Sequence, residues 1–256
     1  MSNSNPYSGK IAVVTGASRG IGAAAAISLA KAGVSRLILH YNSYPEGVEA
    51  VVKAIHEAGA EGEAIQADFS TVSGIDAFTA KLAETAPEVD ILINNAGSLV
   101  KRAPLAVMTD EVYDQVMNLN VRSAWRVTQA IAPGMIKRGG GVIIFLSSIA
   151  ARNGGGPGAT IYAASKAAIA CITKGVSKEL APKGIRVNAV SPGTVDNHFH
   201  EVFSNREILD NVIRQTPSGR LATNEDCSDV ILFLCSDAAR YIHGQTIEIN
   251  GGMYMV

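Results

Sequence analysis

One stretch of eight residues, Thr15–Gly22, restricts the folds open to this chain more than any other. It contains three glycines and lies between a short apolar run, Lys10–Val14, and a run rich in Ala, Ala23–Ala32. The first run predicts a buried strand and the second predicts a helix, so the eight residues form the turn between them. Glycines allow a tight turn and a close approach to a bulky anion, and the free N–H groups at the helix start attract negative charge. The stretch predicts a pyrophosphate-binding turn, although a tight turn without a ligand would need the same glycines.

Length and composition indicate a single domain over residues 1–256. Hydrophobic residues make up 47% of the chain and charged residues 18%, which is typical of a globular protein. The formal net charge of -1 argues against nucleic acid or an anionic membrane as a partner. Residues 1–8 are polar and predict a flexible N-terminus without a signal peptide, and no apolar run approaches the ~20 residues that span a bilayer. The 3 cysteines form no Cys-x-x-Cys pair, so reduced thiols and a cytoplasmic protein are expected.

Strand and helix patterns alternate along almost the whole chain. The alternation predicts an α/β protein, a single-domain Rossmann fold with a doubly wound parallel sheet of seven strands and helices on both faces. Ligands bind beyond the carboxyl ends of the strands in such sheets, and most of the unusual polar clusters of this chain follow a predicted strand. The predicted strands are 10–14, 36–40, 63–67, 89–93, 141–146, 185–190 and 245–249.

Longer helices are predicted at about 110–138 and 161–181. The segment 194–220 is polar and is predicted to be irregular apart from one short helix at about 206–215. The stretches Ser98–Arg102 and Asn153–Gly158 are expected to border the pocket together with this segment.

The residues after the second predicted strand indicate which dinucleotide binds. Sheets that bind NAD usually place Asp or Glu about 20 residues beyond the glycines, where it holds the ribose 2′-hydroxyl. The corresponding stretch here, His40–Ser43, has no acidic residue, and Arg19 in the glycine turn is placed to meet a 2′-phosphate. The alternative is that Arg19 only points to solvent. The sequence therefore predicts NADP(H), with Asn42 and Ser43 adding neutral hydrogen bonds.

Tyr162 and Lys166 have the spacing of a proton-transfer pair. Four residues apart, they lie on the same face of a predicted helix. A free tyrosine titrates near ~10, and a nearby ammonium group would lower the pKa of the phenol toward a useful range. Two surface residues of a helix would show the same spacing. The prediction therefore depends on the expected position of this helix beside the dinucleotide site at the carboxyl ends of the strands.

Taken together, these motifs resemble those of the short-chain dehydrogenase/reductase family in its single-domain form, and most closely its 3-oxoacyl carrier-protein reductase branch. The resemblance extends from Gly9 to Gly252 and implies an NADP(H)-dependent enzyme that interconverts a carbonyl and a secondary alcohol. It also implies a homo-oligomer, either a tetramer or a dimer. A sugar, polyol or steroid dehydrogenase, or a non-catalytic dinucleotide-binding regulator, are the alternatives. The matching residues are Thr15–Gly22, Asn94–Gly97, Asn120, Ser148, Tyr162, Lys166 and Pro192–Gly193.

The resemblance implies a catalytic role for four residues. Tyr162 exchanges a proton with the substrate, and Lys166 tunes Tyr162 and bonds the nicotinamide ribose. Ser148 hydrogen-bonds the substrate oxygen, and Asn120 holds a water that connects Lys166 to solvent.

Neighbouring residues compete for some of these roles. Asn118 is the alternative to Asn120, which could also be only a capping or kinking residue in a long helix. Ser147 is the alternative to Ser148, and Asp68 could cap a helix instead of holding the adenine amino group. The resemblance places cofactor contacts at Gly16, Ser18, Arg19, Gly20, Ile21, Gly22, Tyr41, Asn42, Ser43, Asp68, Phe69, Asn95, Ala96, Gly97, Tyr162, Lys166, Pro192, Gly193 and Val195.

The segment 194–220 is expected to form a substrate lid. Asn197 stands where many relatives have a Thr that bonds the nicotinamide carboxamide. His198 and His200 could share a metal on an extended segment, but a third ligand is not evident, so no metal is expected. The aromatic and basic side chains of the segment suit a moderately apolar carbonyl compound without identifying it.

Overall fold

Seven strands form one sheet in the computed structural model, which describes Asn5 and residues 7–85 and 88–256. All neighbouring strands pair in parallel. The strands are β1 (Ile11–Val14), β2 (Arg36–Tyr41), β3 (Glu61–Gln66), β4 (Ile91–Asn94), β5 (Gly141–Leu146), β6 (Ile185–Pro192) and β7 (Thr246–Ile249). Their order is β3-β2-β1-β4-β5-β6-β7, which confirms the predicted Rossmann fold with a seven-stranded parallel sheet.

Helices cover both faces of the sheet. Helices α1, α2 and α10 pack on one face, whereas α3, α5 and α7 pack on the other. None of the described helices is long and apolar enough to cross a membrane. The helices are α1 (Gly20–Lys31), α2 (Pro45–Glu57), α3 (Val72–Thr85), α4 (Asp110–Met117), α5 (Ser123–Arg138), α6 (Ala150–Asn153), α7 (Thr160–Leu180), α8 (His198–Phe203), α9 (Arg206–Gln215) and α10 (Asn224–Cys235).

Strand β1 at the centre of the sheet consists only of apolar residues, because helices cover it on both faces. In β1, Val13 packs into the core on one face of the sheet and Val14 into the core on the other, and both are fully buried. Side chains of a strand alternate between faces, so a sheet covered on both sides needs continuous apolar runs rather than alternating ones. This requirement is what made the strands recognisable in the sequence.

The helix predicted at 110–138 is interrupted by a π-helical turn at Asn118–Arg122, which separates α4 from α5. Within this turn the Asn120 side chain donates a hydrogen bond to the Val116 carbonyl at 2.9 Å. A side chain that bonds the carbonyl four residues earlier competes with the backbone ladder, and π-turns inside helices are frequent at functional sites. The helical region predicted at 110–138 is therefore present, as α4 and α5 joined by this turn rather than as one regular helix.

The segment 194–220 contains two helices where one was predicted. The expected helix is present as α9, but α8 precedes it. Each helix begins with an asparagine cap: Asn197 accepts a hydrogen bond from the Phe199 N–H at 3.1 Å, and Asn205 accepts one from the Ile208 N–H at 2.9 Å. The six residues of α8 are too few to show a helical period, and for that reason the pattern missed it.

The N-terminal segment 1–8 is only partly described, since residues 1–4 and 6 lie outside the described residues. Tyr7 is buried and its hydroxyl donates a hydrogen bond to the Leu232 carbonyl of α10 at 3.2 Å. Asn5 donates to the carbonyl of Ala32, just beyond α1, at 2.7 Å. The described part of this segment therefore contacts the ends of two helices.

Candidate active site

A crevice opens at the carboxyl ends of the strands. Strand β1 lies between β2 and β4. The sheet continues from one edge of β1 through β2 and β3, and from its other edge through β4 to β7, so the strand order reverses at β1. In open α/β sheets this reversal is where ligands bind. Here it opens into a cavity of about 750 Å³, which extends from the glycine turn to helices α8 and α9.

The glycine turn has a shape that only glycine permits. Gly16 and Gly20 have φ angles of +66° and +63°. A Cβ on Gly22 would lie 2.3 Å from the Gly16 carbonyl oxygen. The Asn95 side chain donates to the carbonyls of Thr15 and Gly16, each at 2.9 Å, so the end of β4 holds the turn in place.

His40 supports the same turn from the end of β2. Its Nδ1 accepts a hydrogen bond from the Gly16 N–H at 3.0 Å, and its Nε2 lies 3.0 Å from the Ala67 carbonyl. Nδ1 is thus the acceptor and Nε2 carries the proton. The ring stacks on Phe69 with 3.6 Å between centroids, and burial lowers the pKa of His40 to about 4, so the imidazole is neutral. The sequence did not identify this role, because a histidine at a strand end has no motif of its own.

The donors around the start of α1 fit a phosphate-bearing dinucleotide. In the described structure no side chain caps this helix, so its first N–H groups are free. Gly20 and Ile21 from that first turn, together with Ser18 and Ser43, line the cavity. Arg19 is exposed beside them, with its guanidinium 4.6 Å from the centroid of the Tyr44 ring. Free helix N–H groups beside a cation are a ready site for anionic oxygens.

Helix α7 brings Tyr162 and Lys166 to the middle of the cavity. Lys166 is buried, its Nζ donates to the Leu146 carbonyl at 2.9 Å, and burial lowers its pKa to about 8. Ser148 hydrogen-bonds the phenol of Tyr162. Its Oγ also accepts a bond from the Ala150 N–H at 3.1 Å.

The prediction that Lys166 lowers the pKa of Tyr162 was wrong for this structure. Burial raises the pKa of Tyr162 to about 12, and the hydrogen bond with Ser148 only partly opposes that rise. Lys166 Nζ lies 5.7 Å from the centroid of the phenol ring and is bonded to a carbonyl. Desolvation of the phenolate therefore outweighs its attraction to the ammonium group.

Asn120 lies next to Lys166. Its Nδ2 donates to the carbonyls of Ser98 and Val116, at 2.8 and 2.9 Å, and its Oδ1 is buried without a partner among the described residues. A Cβ on Gly97 would lie 2.6 Å from this Oδ1 and 2.8 Å from Lys166 Nζ. Gly97 therefore allows the two groups to come close together.

The neighbours that competed with Asn120 and Ser148 are engaged elsewhere. Asn118 donates to the Ser70 carbonyl at 2.9 Å and accepts a hydrogen bond from Arg122. Ser147 donates to the backbone carbonyl of Lys166 at 2.9 Å.

The structure brings most of the predicted site residues together and separates a few. Asp68 is exposed and accepts a hydrogen bond from the Ser70 N–H at 2.9 Å. The alternative role of Asp68 as a helix cap is filled by Thr71, whose Oγ1 accepts from the Gly74 N–H at 3.1 Å. Outside the cavity wall lie Gly22, Tyr41, Asn42, Asp68, Phe69 and Asn120. The predicted residues in the wall are Gly16, Ser18, Arg19, Gly20, Ile21, Ser43, Asn95, Ala96, Gly97, Ser148, Tyr162, Lys166, Pro192, Gly193 and Val195.

Helix α8 forms part of the cavity wall, with Phe199 and Phe203 among its lining residues. Asn197 caps this helix and also donates to the Asn224 side chain at 3.0 Å, which attaches the helix start to α10. His198 and His200 are on a helix, not on the extended segment assumed for a shared metal. Two residues apart on a helix, their side chains point in different directions, and they bond Glu201 and Ser204 respectively.

Comparisons with known proteins agree with this geometry. The family model described as enoyl-(acyl carrier protein) reductase matches residues 16–254. The chain is 37% identical over 246 residues to the 3-oxoacyl-(acyl-carrier-protein) reductase FabG of Staphylococcus aureus (strain Mu50), which covers 96% of this chain and 98% of that protein.

Two solved structures are similar over nearly the whole chain. One is a proposed NAD(P)-dependent gluconate 5-dehydrogenase of Beutenbergia cavernae with NADP bound at low occupancy, at 34% identity and a TM-score of 0.89, covering 96% of this chain and 97% of that one. The other is a 7α-hydroxysteroid dehydrogenase complexed with NADH and 7-oxo glycochenodeoxycholic acid, at 34% identity and a TM-score of 0.89, covering 98% of each chain.

Proposed function

We propose that this chain, which belongs to the short-chain dehydrogenase/reductase family, interconverts a ketone and a secondary alcohol with NADP(H) as the hydride carrier. When bound, NADP(H) supplies hydride in reduction and accepts it in oxidation. The observation that carries the proposal is the continuous cavity that joins the glycine turn to Ser148, Tyr162 and Lys166. The remaining chemistry is the placement of the ketone and the delivery of a proton, and residues of this chain supply both.

Tyr162 is the proposed proton donor. A pKa of about 12 keeps the phenol protonated at neutral pH, which is the form that donates a proton to the oxygen of a reduced ketone. Ser148 is placed to stabilise charge on the same oxygen, because its hydroxyl lines the cavity beside the Tyr162 phenol. Oxidation would need the phenolate, so at neutral pH the tyrosine is in the protonation state that serves reduction.

Lys166 and Asn120 are the proposed route by which Tyr162 regains its proton. With a pKa of about 8, Lys166 is mainly protonated at neutral pH but close to its titration. The unpartnered Oδ1 of Asn120 is an acceptor close to Lys166 Nζ and suits a bound water. We assign these two residues as the relay between Tyr162 and solvent.

The preference for NADP(H) over NAD(H) rests on the adenosine end of the cavity. The two solved relatives were obtained with different dinucleotides, NADP in one case and NADH in the other. In this chain the stretch His40–Ser43 has no carboxylate, and Arg19 stands at the start of α1 with its guanidinium over Tyr44. A 2′-phosphate therefore meets a cation there and no like charge. Contacts from Tyr41, Asn42 and Asp68 remain predictions.

A sugar or steroid dehydrogenase is the second candidate. The solved relatives are named for a gluconate dehydrogenase and a hydroxysteroid dehydrogenase, and the S. aureus relative is named for a 3-oxoacyl thioester reductase. All three reactions exchange a ketone and a secondary alcohol, so they differ in the substrate and not in the proposed roles. A non-catalytic regulator is disfavoured because Tyr162, Lys166 and Ser148 converge on one cavity.

We propose that the protein works in the cytoplasm. The thiols of Cys171, Cys227 and Cys235 are all free, and Cys171 is exposed. Exposed free thiols persist in a reducing compartment.

The direct test is a panel of ketones. The protein is mixed with NADPH or NADH and with a 3-oxoacyl thioester, a keto sugar acid or an oxo steroid, and nicotinamide absorbance is followed against a blank without ketone. The proposal expects turnover of at least one ketone, faster with NADPH than with NADH. Tight NADPH binding without turnover of any member would favour the regulator instead.

A further inference from the structure

The charges in the cavity wall are distributed unevenly. Among its described lining residues the side chains that carry a positive charge at neutral pH are Arg19, Arg102 and Lys166, and none is Asp or Glu. The proposed cofactor site uses Arg19 at the glycine turn, and the proposed proton relay uses Lys166. Arg102 lies at the lid end, and neither the cofactor nor the proton transfer needs it. A cation without an assigned role therefore faces the place where the substrate enters.

Arg102 keeps most of its hydrogen-bonding capacity free. Its Nε donates to the Phe203 carbonyl and one of its terminal nitrogens donates to the Pro157 carbonyl, both at 2.9 Å. These bonds use two of the five N–H donors of a guanidinium. Within the described part of the chain it forms no ion pair. A held, unneutralised guanidinium with free donors suits a carboxylate, which it can bind through two parallel bonds.

The loop that carries Arg102 is strained. Val100 has a φ of +61°, a conformation that a β-branched residue rarely adopts. The next residue, Lys101, closes a tight turn by donating its N–H to the Leu99 carbonyl at 2.7 Å. Strain of this kind persists where the surrounding structure enforces it, often next to ligand sites. Together with the two carbonyl contacts, the strained turn fixes where Arg102 stands.

The path from Tyr162 to Arg102 indicates how long the substrate is. The Tyr162 and Phe199 rings are 5.7 Å apart, the Phe199 and Phe203 rings are 5.0 Å apart, and Arg102 bonds the carbonyl of Phe203. The two Phe residues of α8 therefore stand between the phenol and the guanidinium, and both line the cavity. His200 also lines this end, but burial and the charge of Arg102 lower its pKa to about 4, so it is neutral at pH 7.

We propose that Arg102 binds a carboxylate of the substrate, so that the preferred substrate is an oxo acid whose ketone lies several carbons from its carboxylate. The inference rests on the proposed carbonyl reduction, since Tyr162 sets the position of the ketone. A 2-oxo acid is too short to reach both groups. A phosphate on a carrier-bound thioester is the other anion that an arginine could bind, and the test separates the two.

The experiment compares matched substrates and matched variants. With NADPH, kcat and KM are measured for a medium-chain oxo acid with a remote ketone, for its methyl ester, for a 2-oxo acid and for a 3-oxoacyl thioester with and without a phosphopantetheine phosphate. The proteins are the wild type, Arg102→Gln, Arg102→Lys and the control Lys101→Gln, which changes the neighbouring cation that does not line the cavity.

The wild type is expected to prefer the remote oxo acid to its ester by about 10- to 100-fold in kcat/KM, the range of a charge-assisted hydrogen bond. Arg102→Gln should abolish that preference by raising KM for the acid. In this variant kcat for the ester should change by a smaller factor than kcat/KM for the acid. Arg102→Lys should keep part of the preference, and Lys101→Gln should keep all of it. If Arg102→Gln lowered turnover of acid and ester equally, Arg102 would only hold the lid and the inference would fail.

The remaining outcomes are also decisive. Equal rates for acid and ester in the wild type would overturn the inference but leave the proposed function standing, because both ketones would still be reduced. A dependence on Arg102 seen only with the phosphate-bearing thioester would overturn the carboxylate assignment in favour of a carrier. Failure to reduce any of these ketones or those of the wider panel would overturn the proposed function itself.

Discussion

Tyr162 and Lys166 show how burial separates two groups that titrate close together in water. Desolvation moves the pKa of the phenol up to about 12 and that of the amine down to about 8. Both shifts favour the neutral form, because a charge loses its hydration inside the protein. At neutral pH the phenol therefore holds its proton, while the lysine is close to its titration. The sequence showed that the two side chains lie close together, but not how strongly the surrounding cavity desolvates them.

His40 should make the protein sensitive to mild acid. The folded pKa of about 4 lies below the ordinary 6.5, so the unfolded chain takes up the proton first. Above about pH 6.5 His40 does not change the free energy of unfolding. As the pH falls toward 4 this free energy decreases, by about 2 kcal/mol at pH 5. Urea unfolding of the wild type at pH 7 and at pH 5 should show this decrease. The His40→Leu variant should be less stable at pH 7, but its free energy of unfolding should decrease by about 2 kcal/mol less between pH 7 and pH 5. The contribution of His200 to the pH dependence is the same in both proteins and cancels in the comparison. An equal decrease in the free energy of unfolding of the two proteins would contradict the prediction.

Arg19 should decide between the two dinucleotides. Arg19→Gln removes the cation proposed to meet the 2′-phosphate, so the Kd for NADPH should rise by about 10- to 100-fold, the usual strength of a charge-assisted bond. The Kd for NADH should change little, because NADH has no phosphate there. Fluorescence titration of each nucleotide measures both values, and NADH is the internal control. A similar loss of affinity for both nucleotides would mean that Arg19 only supports the shape of the glycine turn.

At the scale of helices and strands, repeating patterns were predictable and single contacts were not. The strands and α9 could be found because apolar runs and helical periods extend over several residues. The π-turn at Asn118–Arg122 and the short helix α8 depend on one side chain each, Asn120 and Asn197. Such contacts leave no periodic signal, so the sequence predicted the helical region 110–138 without locating its π-turn, and it predicted no helix at 198–203.

The cap of α8 should control the mobility of the lid. Asn197→Ala removes both the cap to the Phe199 N–H and the bond to Asn224. Loss of a cap costs about 1 kcal/mol, so amide exchange in α8 should be about five-fold faster. Hydrogen-exchange mass spectrometry measures the rate, and Asn197→Thr is the matched control because threonine also caps helices. If the threonine variant exchanged as fast as the alanine variant, the bond to Asn224 rather than the cap would hold the lid.

At the scale of the whole molecule, apolar side chains on the outer helices point to self-association. Tyr113 on α4 and Trp125 on α5 are each 43% exposed, although both are large. Large exposed apolar residues often mark interfaces. We expect a homo-oligomer, a tetramer or a dimer, in sedimentation velocity, and a shift toward smaller species in the double variant Tyr113→Glu, Trp125→Glu. A wild-type protein that sediments as a monomer at all concentrations would contradict this expectation.

In the proposed function, the fold positions the phenol of Tyr162 as proton donor in the crevice that begins at the glycine turn. The most direct test is to measure NADPH binding and ketone turnover in the wild type and in Tyr162→Phe, with the exposed Tyr241→Phe as control. Tyr162→Phe is expected to bind NADPH as the wild type does and to lose about 10²- to 10⁴-fold in kcat, the range for a lost proton donor, while Tyr241→Phe keeps full activity. Tyr162→Phe with near-normal turnover would contradict the account, because the proton would then come from another group.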